Sequence, residues 1–360
     1  MTQIEWTHLP GFKGESWNPI VGCSVVSPGC TNCYAMKQAG RILRMTDGQS
    51  HYAGTVADSK AGPVWTGKVA RASDKAFTAP LRRRIPTCYF VNSMGDLFAE
   101  NVPDEWIDQV FAVMALSPQH RFIVLTKRPE RMREYLRPRP QWDYNQGATP
   151  YRYGKAILAA REITGSYAFP LNGWPLPNVW LGVSVEDQAR ADERIPLLLT
   201  TPAAVRFISA EPLLGPVDLE MIWMRRPGEP PTPLSNRLGD YVRPLRGNFT
   251  DSPKLDWVIC GGESGPDARW LHPKWVRSLR DQCAAAQVPF FFKQWGEFTY
   301  ETRPGVEVEL ADLAPGESVI AGDGETNHIA FRRTGKRAAG HLLDGVEHFN
   351  WPADPAGAPA

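Results

Sequence analysis

Six short runs of β-branched and aromatic residues, each ending in polar residues, constrain this chain more than any other feature. They are Cys88-Tyr89-Phe90-Val91 before Asn92-Ser93, Phe122-Ile123-Val124-Leu125 before Thr126-Lys127, Val179-Trp180-Leu181-Gly182-Val183 before Ser184, Val205-Arg206-Phe207-Ile208 before Ser209, Trp257-Val258-Ile259 before Cys260-Gly261, and Phe290-Phe291-Phe292 before Lys293-Gln294. Runs of this kind read as strands buried on both faces. Between them lie helical patterns at 103–116, 129–136, 188–199 and 273–286, the first with Trp106, Val110, Val113 and Met114 on one face. Strands alternating with helices imply right-handed βαβ crossovers and a parallel sheet. A further strand near 16–21 brings the count to about seven. The expected fold is α/β, an incomplete parallel (β/α) barrel of six to seven strands rather than a doubly wound sheet.

Two stretches interrupt the pattern. Residues 137–177 are rich in Pro, Tyr, Gly and Trp, and 225–253 in Pro, Gly and Arg; both read as loop insertions. Insertions on such a scaffold shape a substrate site or a partner surface. The barrel is expected over 1–300, with 301–360 a small β-containing appendage whose end is loose from about residue 352. A composition of 42% hydrophobic and 22% charged residues excludes a disordered or fibrous chain. Lys and Arg total 40 against 39 acidic residues, so bulk charge argues for no polyanionic partner. No apolar run approaches the roughly 20 residues of a bilayer span, and residues 1–10 lack a secretory core. A cytoplasmic protein with no membrane partner is expected.

Three of the six cysteines, Cys23, Cys30 and Cys33, fall in one loop with the spacing C-x6-C-x2-C. In a reducing compartment, clustered cysteines point to a metal or to catalysis. Cys30 and Cys33 can offer two thiolates to one centre, and the Ser27-Pro28-Gly29 turn brings Cys23 back toward them. A structural zinc site is closed by four protein ligands, and the nearest further candidates, His8 and His51, lie outside the loop. A cubane iron–sulfur cluster on three cysteines instead leaves one iron open for a substrate or cofactor. The cluster is the favoured reading; closed zinc and plain buried or redox thiols are the alternatives. Cys88, Cys260 and Cys283 read as buried structural thiols, with Cys260 at a strand end where it could face the site.

The loop is accompanied by Gly95-Asp96-Leu97-Phe98, Leu125-Thr126-Lys127-Arg128-Pro129-Glu130, Leu181-Gly182-Val183-Ser184-Val185-Glu186, Ile208-Ser209-Ala210-Glu211-Pro212-Leu213, Gly261-Gly262-Glu263-Ser264-Gly265 and Phe292-Lys293-Gln294-Trp295-Gly296. Together they resemble the phage-associated three-Cys-motif family of uncharacterised function, which is similar to radical S-adenosylmethionine enzymes. The likeness spans nearly all of 5–300, with further matches at 335–340 and 342–345. It implies a [4Fe-4S] cluster on Cys23, Cys30 and Cys33, S-adenosyl-L-methionine at the open iron, a 5′-deoxyadenosyl radical and an electron donor protein. The radical-enzyme superfamily carries C-x3-C-x2-C with an aromatic residue before the third cysteine, whereas here Tyr34 follows Cys33. Its Gly-Gly-Glu element follows the second strand, whereas Gly261-Gly262-Glu263 follows the sixth candidate strand, counting the one near 16–21 as the first.

In a parallel barrel the C-terminal strand ends face one site. Asn92, Ser93, Asp96, Lys127, Ser184, Glu186, Ser209, Glu211, Glu263, Lys293 and Gln294 are therefore expected to converge. Tyr34, Asn92, Ser93, Asp96, Lys127, Ser184, Glu186, Glu211 and Glu263 are the candidate cofactor-binding residues. Helix capping is the alternative for Ser184 and Ser209. Lys127 and Arg128 precede Pro129 at a helix start, where cations oppose the helix dipole unless an anion is near. That anion is either a ligand phosphate or carboxylate, or a neighbouring acidic side chain. Basic clusters at 82–84, at 127–139, at Arg225 and Arg226 and at 332–337, with loop aromatics such as Trp142, allow a nucleic acid or nucleotide substrate. A radical enzyme acting on a small molecule or peptide, and a non-catalytic zinc-stabilised binding protein, are the other functional readings.

Overall fold

The computed structural model describes residues 4–60, 62–137, 152–165, 174–223, 241–304, 317–320 and 327–357. Seven strands form one sheet: β1 (Lys13–Trp17), β2 (Thr87–Val91), β3 (Arg121–Thr126), β4 (Val179–Ser184), β5 (Val205–Ala210), β6 (Trp257–Cys260) and β7 (Phe290–Phe292). They lie in that order and every neighbouring pair is parallel. A consecutive order has no topological switch point, so the sheet is singly wound; it curls into a half-barrel. The expected strand across 16–21 is split. β1 ends at Trp17, and Ile20–Val21 instead pairs antiparallel with Ala70–Arg71, because Pro19 has no N–H to continue a ladder.

Helices α1 (Tyr34–Met45), α2 (Asp104–Ala115), α3 (Pro129–Leu136), α4 (Arg152–Thr164), α5 (Gln188–Leu199) and α6 (Pro273–Ala286) accompany the strands. The patterns read from the sequence account for α2, α3, α5 and α6. Helix α4 falls inside the 137–177 stretch and packs on α2 through buried Ala156, Ala159 and Ala160, so this stretch holds a second crossover helix between β3 and β4. Within that stretch residues 138–151, with Arg139 and Trp142, and 166–173 lie outside the described residues, as do residues 224–240, with Arg225 and Arg226.

Successive strand side chains alternate between the two faces of the sheet. Tyr89, Val91, Phe122, Val124, Leu181, Val183, Ile208, Ala210, Val258 and Cys260 join the core between sheet and helices. The alternate residues, Cys88, Ile123, Trp180, Val205, Phe207, Trp257, Ile259 and Phe291, build a second core on the concave face. Both ends of the chain complete it. Trp6 and Leu9 enter beside the 3₁₀ turn Glu5–Thr7, and Phe349 and Trp351 pack against them from the other end. The Trp351 indole N–H donates to the Trp6 carbonyl at 3.1 Å, the Trp257 indole N–H donates to the Asn350 carbonyl at 2.8 Å, and Phe349 stacks on Phe291 at 4.6 Å. Arg121, 2% exposed, pairs with Asp354 at 2.7 Å, within the end expected to be loose. Among the described residues β1 and β7 do not pair, and these contacts span that side instead.

Strands β8 (Phe298–Pro304), β9 (Glu317–Ile320) and β10 (Asn327–Arg333) form a separate antiparallel sheet in the order β8-β10-β9. No helix among the described residues is long and apolar enough to cross a membrane.

Candidate functional site at the strand ends

The alternation that builds the concave core continues past the strands, so Asn92, Lys127, Ser184, Ser209, Glu211 and Lys293 stand at the C-terminal mouth in the same register. The cysteine loop lies across this mouth and is tied to it at several points. The Gly22 N–H donates to the Met94 carbonyl at 3.1 Å. Ser27 Oγ donates to Glu186 Oε1 at 2.6 Å, Asn32 Nδ2 to Glu263 Oε2 at 3.0 Å, and Arg269 Nη2 to the Pro28 carbonyl at 3.1 Å. Arg128 reaches Cys23 Sγ at 3.4 Å and the Ser24 carbonyl at 3.0 Å.

Two of the candidate cofactor-binding carboxylates, Glu186 and Glu263, serve as these anchors, and a third, Asp96, holds Arg128. Glu186 is fully buried, accepts from Arg194 at 3.0 Å and lies 3.4 Å from Lys127 Nζ. Burial pushes its carboxyl up, but Lys127, Arg194 and the Ser27 hydroxyl outweigh burial and hold it below its ordinary range. Glu263 accepts from Arg269 Nε at 2.9 Å, Arg269 Nη2 at 2.7 Å and the Arg269 main-chain N–H at 2.9 Å. Its carboxyl is also lowered, burial being outweighed by Arg269 and Asn32. Asp96 commits both oxygens: Oδ1 accepts from the Thr126 hydroxyl at 2.7 Å and the Phe98 N–H at 2.9 Å, and Oδ2 from the Lys127 N–H at 3.0 Å and Arg128 at 3.1 Å.

The anions facing the cations at the start of α3 are therefore protein side chains: Glu186 for Lys127, and Asp96 with Glu100 for Arg128. Arg131 is likewise engaged, by the Ala99 and Val102 carbonyls and Asp104. Ser184 gives its carbonyl to Arg194 at 2.9 Å, and α5 is capped by Asp187, whose side chain accepts from the Arg190 N–H at 2.9 Å. Tyr34 opens α1 and donates to the Ser93 carbonyl at 2.7 Å, while Ser93 Oγ donates to Asn18 Oδ1 at 3.1 Å. Asn92 takes φ 57°, a left-handed conformation that Asn tolerates well, and its Oδ1 accepts from the Ile20 N–H at 3.3 Å. Its Nδ2 is buried with no hydrogen-bond partner among the described residues. Glu211 accepts from Lys293 at 2.6 Å.

Ser27, Asn32, Arg194 and Arg269 escape the list drawn from the sequence. Only Arg194 leaves a trace there: it falls among Ala191, Ile195 and Leu198 on the buried stripe of α5, where a charge requires a partner.

The thiols themselves differ. Burial, then the Asp96 charge, pushes the Cys23 thiol up to about 12; Cys33 and Cys30 add to this, and Arg128 opposes it. Ser27 Oγ lies 3.8 Å from Cys30 Sγ. Among the described residues no group of three or more His, Cys, Asp or Glu side chains is placed to hold a metal ion, so shared ligation requires the thiols to close on the centre. By donor chemistry they suit one: three soft sulfur ligands on a single loop, with Cys23 needing a cation to become a thiolate. Cys88, Cys260 and Cys283 are fully buried, and Cys260 belongs to the helix-side core rather than to the mouth.

No curated protein and no solved structure matches the chain. One family model matches residues 1–352, nearly the whole length, and on that match the chain belongs to the family described as "Protein of unknown function (DUF5131)".

Proposed function

We propose that this chain is a radical S-adenosylmethionine-type iron–sulfur enzyme, with a [4Fe-4S] cluster on Cys23, Cys30 and Cys33 and a nucleic acid or nucleotide as substrate. The observation that carries the reading is the placement of the C-x6-C-x2-C loop across the C-terminal mouth of an incomplete parallel barrel, where such a scaffold gathers its reactive groups. When bound, the cluster and S-adenosyl-L-methionine supply a 5′-deoxyadenosyl radical able to abstract hydrogen, with electrons delivered by a donor protein. The protein's own part is orientation and exclusion of water. Glu186 and Glu263 fix the loop, Asp96 holds Arg128 where it meets Cys23 and Ser24, and the aromatic floor closes the barrel from below.

Purification without oxygen, followed by iron and sulfide analysis, tests the reading. We expect about four of each per chain. Cys23→Ser, Cys30→Ser and Cys33→Ser should each abolish them, and the reduced protein should form 5′-deoxyadenosine from S-adenosyl-L-methionine. Stoichiometric zinc without iron would show a zinc-stabilised protein and sink the proposal.

A further inference from the structure

We infer, resting on the proposed substrate class, that the exposed stripe of helix α1 is a track for a single-stranded polynucleotide, leading its phosphates to the mouth and one base onto Tyr34. Helix α1 begins directly after Cys33, and the Tyr34 hydroxyl is tied to the Ser93 carbonyl just past β2, so the helix starts at the mouth. Ala35, Met36, Ala39 and Gly40 form its buried face. Tyr34, Lys37, Arg41 and Arg44 follow one another at spacings of three and four, which sets them along the opposite face over about 15 Å.

The stripe is cationic and largely unrelieved. Helix α1 contains no acidic residue, and residues 34–71 hold six Lys or Arg against two Asp in a chain whose net charge is +1. Arg41 and Arg44 are exposed and have no hydrogen-bond or ion-pair partner among the described residues, so the two acids, Asp47 and Asp58, leave them unpaired. Lys37 meets Asp267 at 2.7 Å in a pair open to solvent, which a phosphate can enter at little cost. Lys37 and Arg41 at i,i+4, and Arg41 and Arg44 at i,i+3, are like-charged neighbours that weaken the helix unless an anion lies along it. The helix dipole accounts for Arg44 in the last turn and leaves Arg41 unexplained. The hairpin of strands Val56–Ser59 and Gly62–Trp65 packs on α1, Pro63 against Gly40, and carries exposed Lys60 at its tip.

A row of cations fits a row of phosphates, each releasing a counterion, whereas a mononucleotide reaches only one end of it. A protein partner fits less well. The centres of protein interfaces are apolar and depleted of charge, and the centre of this stripe is Lys37, Gln38 and Arg41. Tyr34 then selects single strands. It is 56% exposed beside Cys33 while its hydroxyl is fixed, so the ring is a held face for an unstacked base, and a base within a duplex is already stacked.

Fluorescence anisotropy on the full-length protein, purified without oxygen, tests this with labelled single strands of DNA and of RNA about twelve nucleotides long, a DNA duplex of the same sequence, and polyglutamate as an acidic chain. We expect at least one single strand to bind at low salt, more tightly than the duplex or polyglutamate, and the tighter of the two strands identifies the sugar. In Arg41→Gln/Arg44→Gln the slope of log K against log salt should shrink by about 1.4, about 0.7 for each cation removed. Lys13→Gln/Arg84→Gln removes the same charge at the N-terminal strand ends and should leave slope and affinity unchanged. Tyr34→Ala should weaken binding about tenfold and Tyr34→Phe, which keeps the ring, should restore it, with the melting temperature confirming that each variant folds. No binding by either strand, duplex or polyglutamate binding as tight as the single strands, an unchanged slope in Arg41→Gln/Arg44→Gln, or full affinity in Tyr34→Ala would each overturn the inference. Protein that carries iron but binds no single strand defeats this inference alone; protein that binds single strands but carries zinc in place of iron defeats the proposed function alone.

Discussion

Glu186→Gln is the sharpest probe of how the cysteine loop is held. The wild-type carboxylate is 0% exposed and meets three partners: Ser27 Oγ at 2.6 Å, Arg194 at 3.0 Å and Lys127 at 3.4 Å. Gln keeps the shape, yet its amide can accept on one side only and turns an N–H₂ toward either Arg194 or the Ser27 and Lys127 side. Arg194 is itself 1% exposed, so removing the charge strands a buried guanidinium, a defect of about 3–5 kcal/mol. Lys127 keeps some contact with solvent and adds little to that figure. Against a total stability of about 5–15 kcal/mol the loss is large. Equilibrium urea unfolding followed by tryptophan fluorescence measures it, and Arg194→Met completes a double-mutant cycle. The double variant should be more stable than additivity requires by at least about 1 kcal/mol, because no stranded charge remains. The pH dependence has a definite sign. The folded carboxyl lies below its ordinary range, so its contribution is present above the unfolded pKa and disappears as pH falls through the folded one. Glu186→Gln should therefore flatten the acid limb of stability. A change of under about 0.5 kcal/mol at neutral pH, or strict additivity, would refute the anchor argument.

Three further outcomes can be checked directly. Arg128→Gln removes a charged donor from Cys23 and Asp96, so it should cost about 2–3 kcal/mol in urea unfolding and, in iron-loaded protein, move the midpoint potential to more negative values by redox titration. Gly182→Ala places a Cβ against the Phe207 ring at well under van der Waals separation and should lower stability by about 1–3 kcal/mol in thermal unfolding. In protein freed of iron, native alkylation with iodoacetamide, mapped by mass spectrometry, should reach the partly exposed Cys33 while Cys88, Cys260 and Cys283 stay protected until the chain unfolds, since burial shields all three and pushes the Cys283 thiol up to about 12.

The parallel sheet was legible because strands buried on both faces need continuous apolar runs, and nothing else in the chain yields Phe290-Phe291-Phe292 or Trp257-Val258-Ile259. The gathering of polar residues at the mouth followed from period-two alternation once the strands were placed. What those residues do was harder to read. Ser27 meets Glu186 across 159 positions of chain, and Asn32 meets Glu263 across 231, distances over which no local pattern carries information. Glu186, Glu263 and Asp96 consequently look like free ligands in the sequence and prove to be pinned in the structure. Helix α1 was hidden by its neighbour, the cysteine loop, whose turn residues dominate the reading of that region. Helix α4 was hidden among the Pro, Gly and aromatic residues that flank it.

The aromatic floor joins residues 6–9 to residues 349–351, with the Trp6 carbonyl accepting from the Trp351 indole N–H. During synthesis the amino-terminal piece leaves the ribosome long before its partner exists. Strand β1 can pair with β2 early, but Trp6, Trp257 and Phe291 cannot be sealed until Phe349 and Trp351 emerge. A nascent chain therefore carries an open, greasy trough until residues 349–351 have emerged. Contacts this distant in sequence also form slowly once both ends are free. Expression at low temperature, or with a holdase present, is the regime in which such a molecule reaches its closed state before the trough finds another chain.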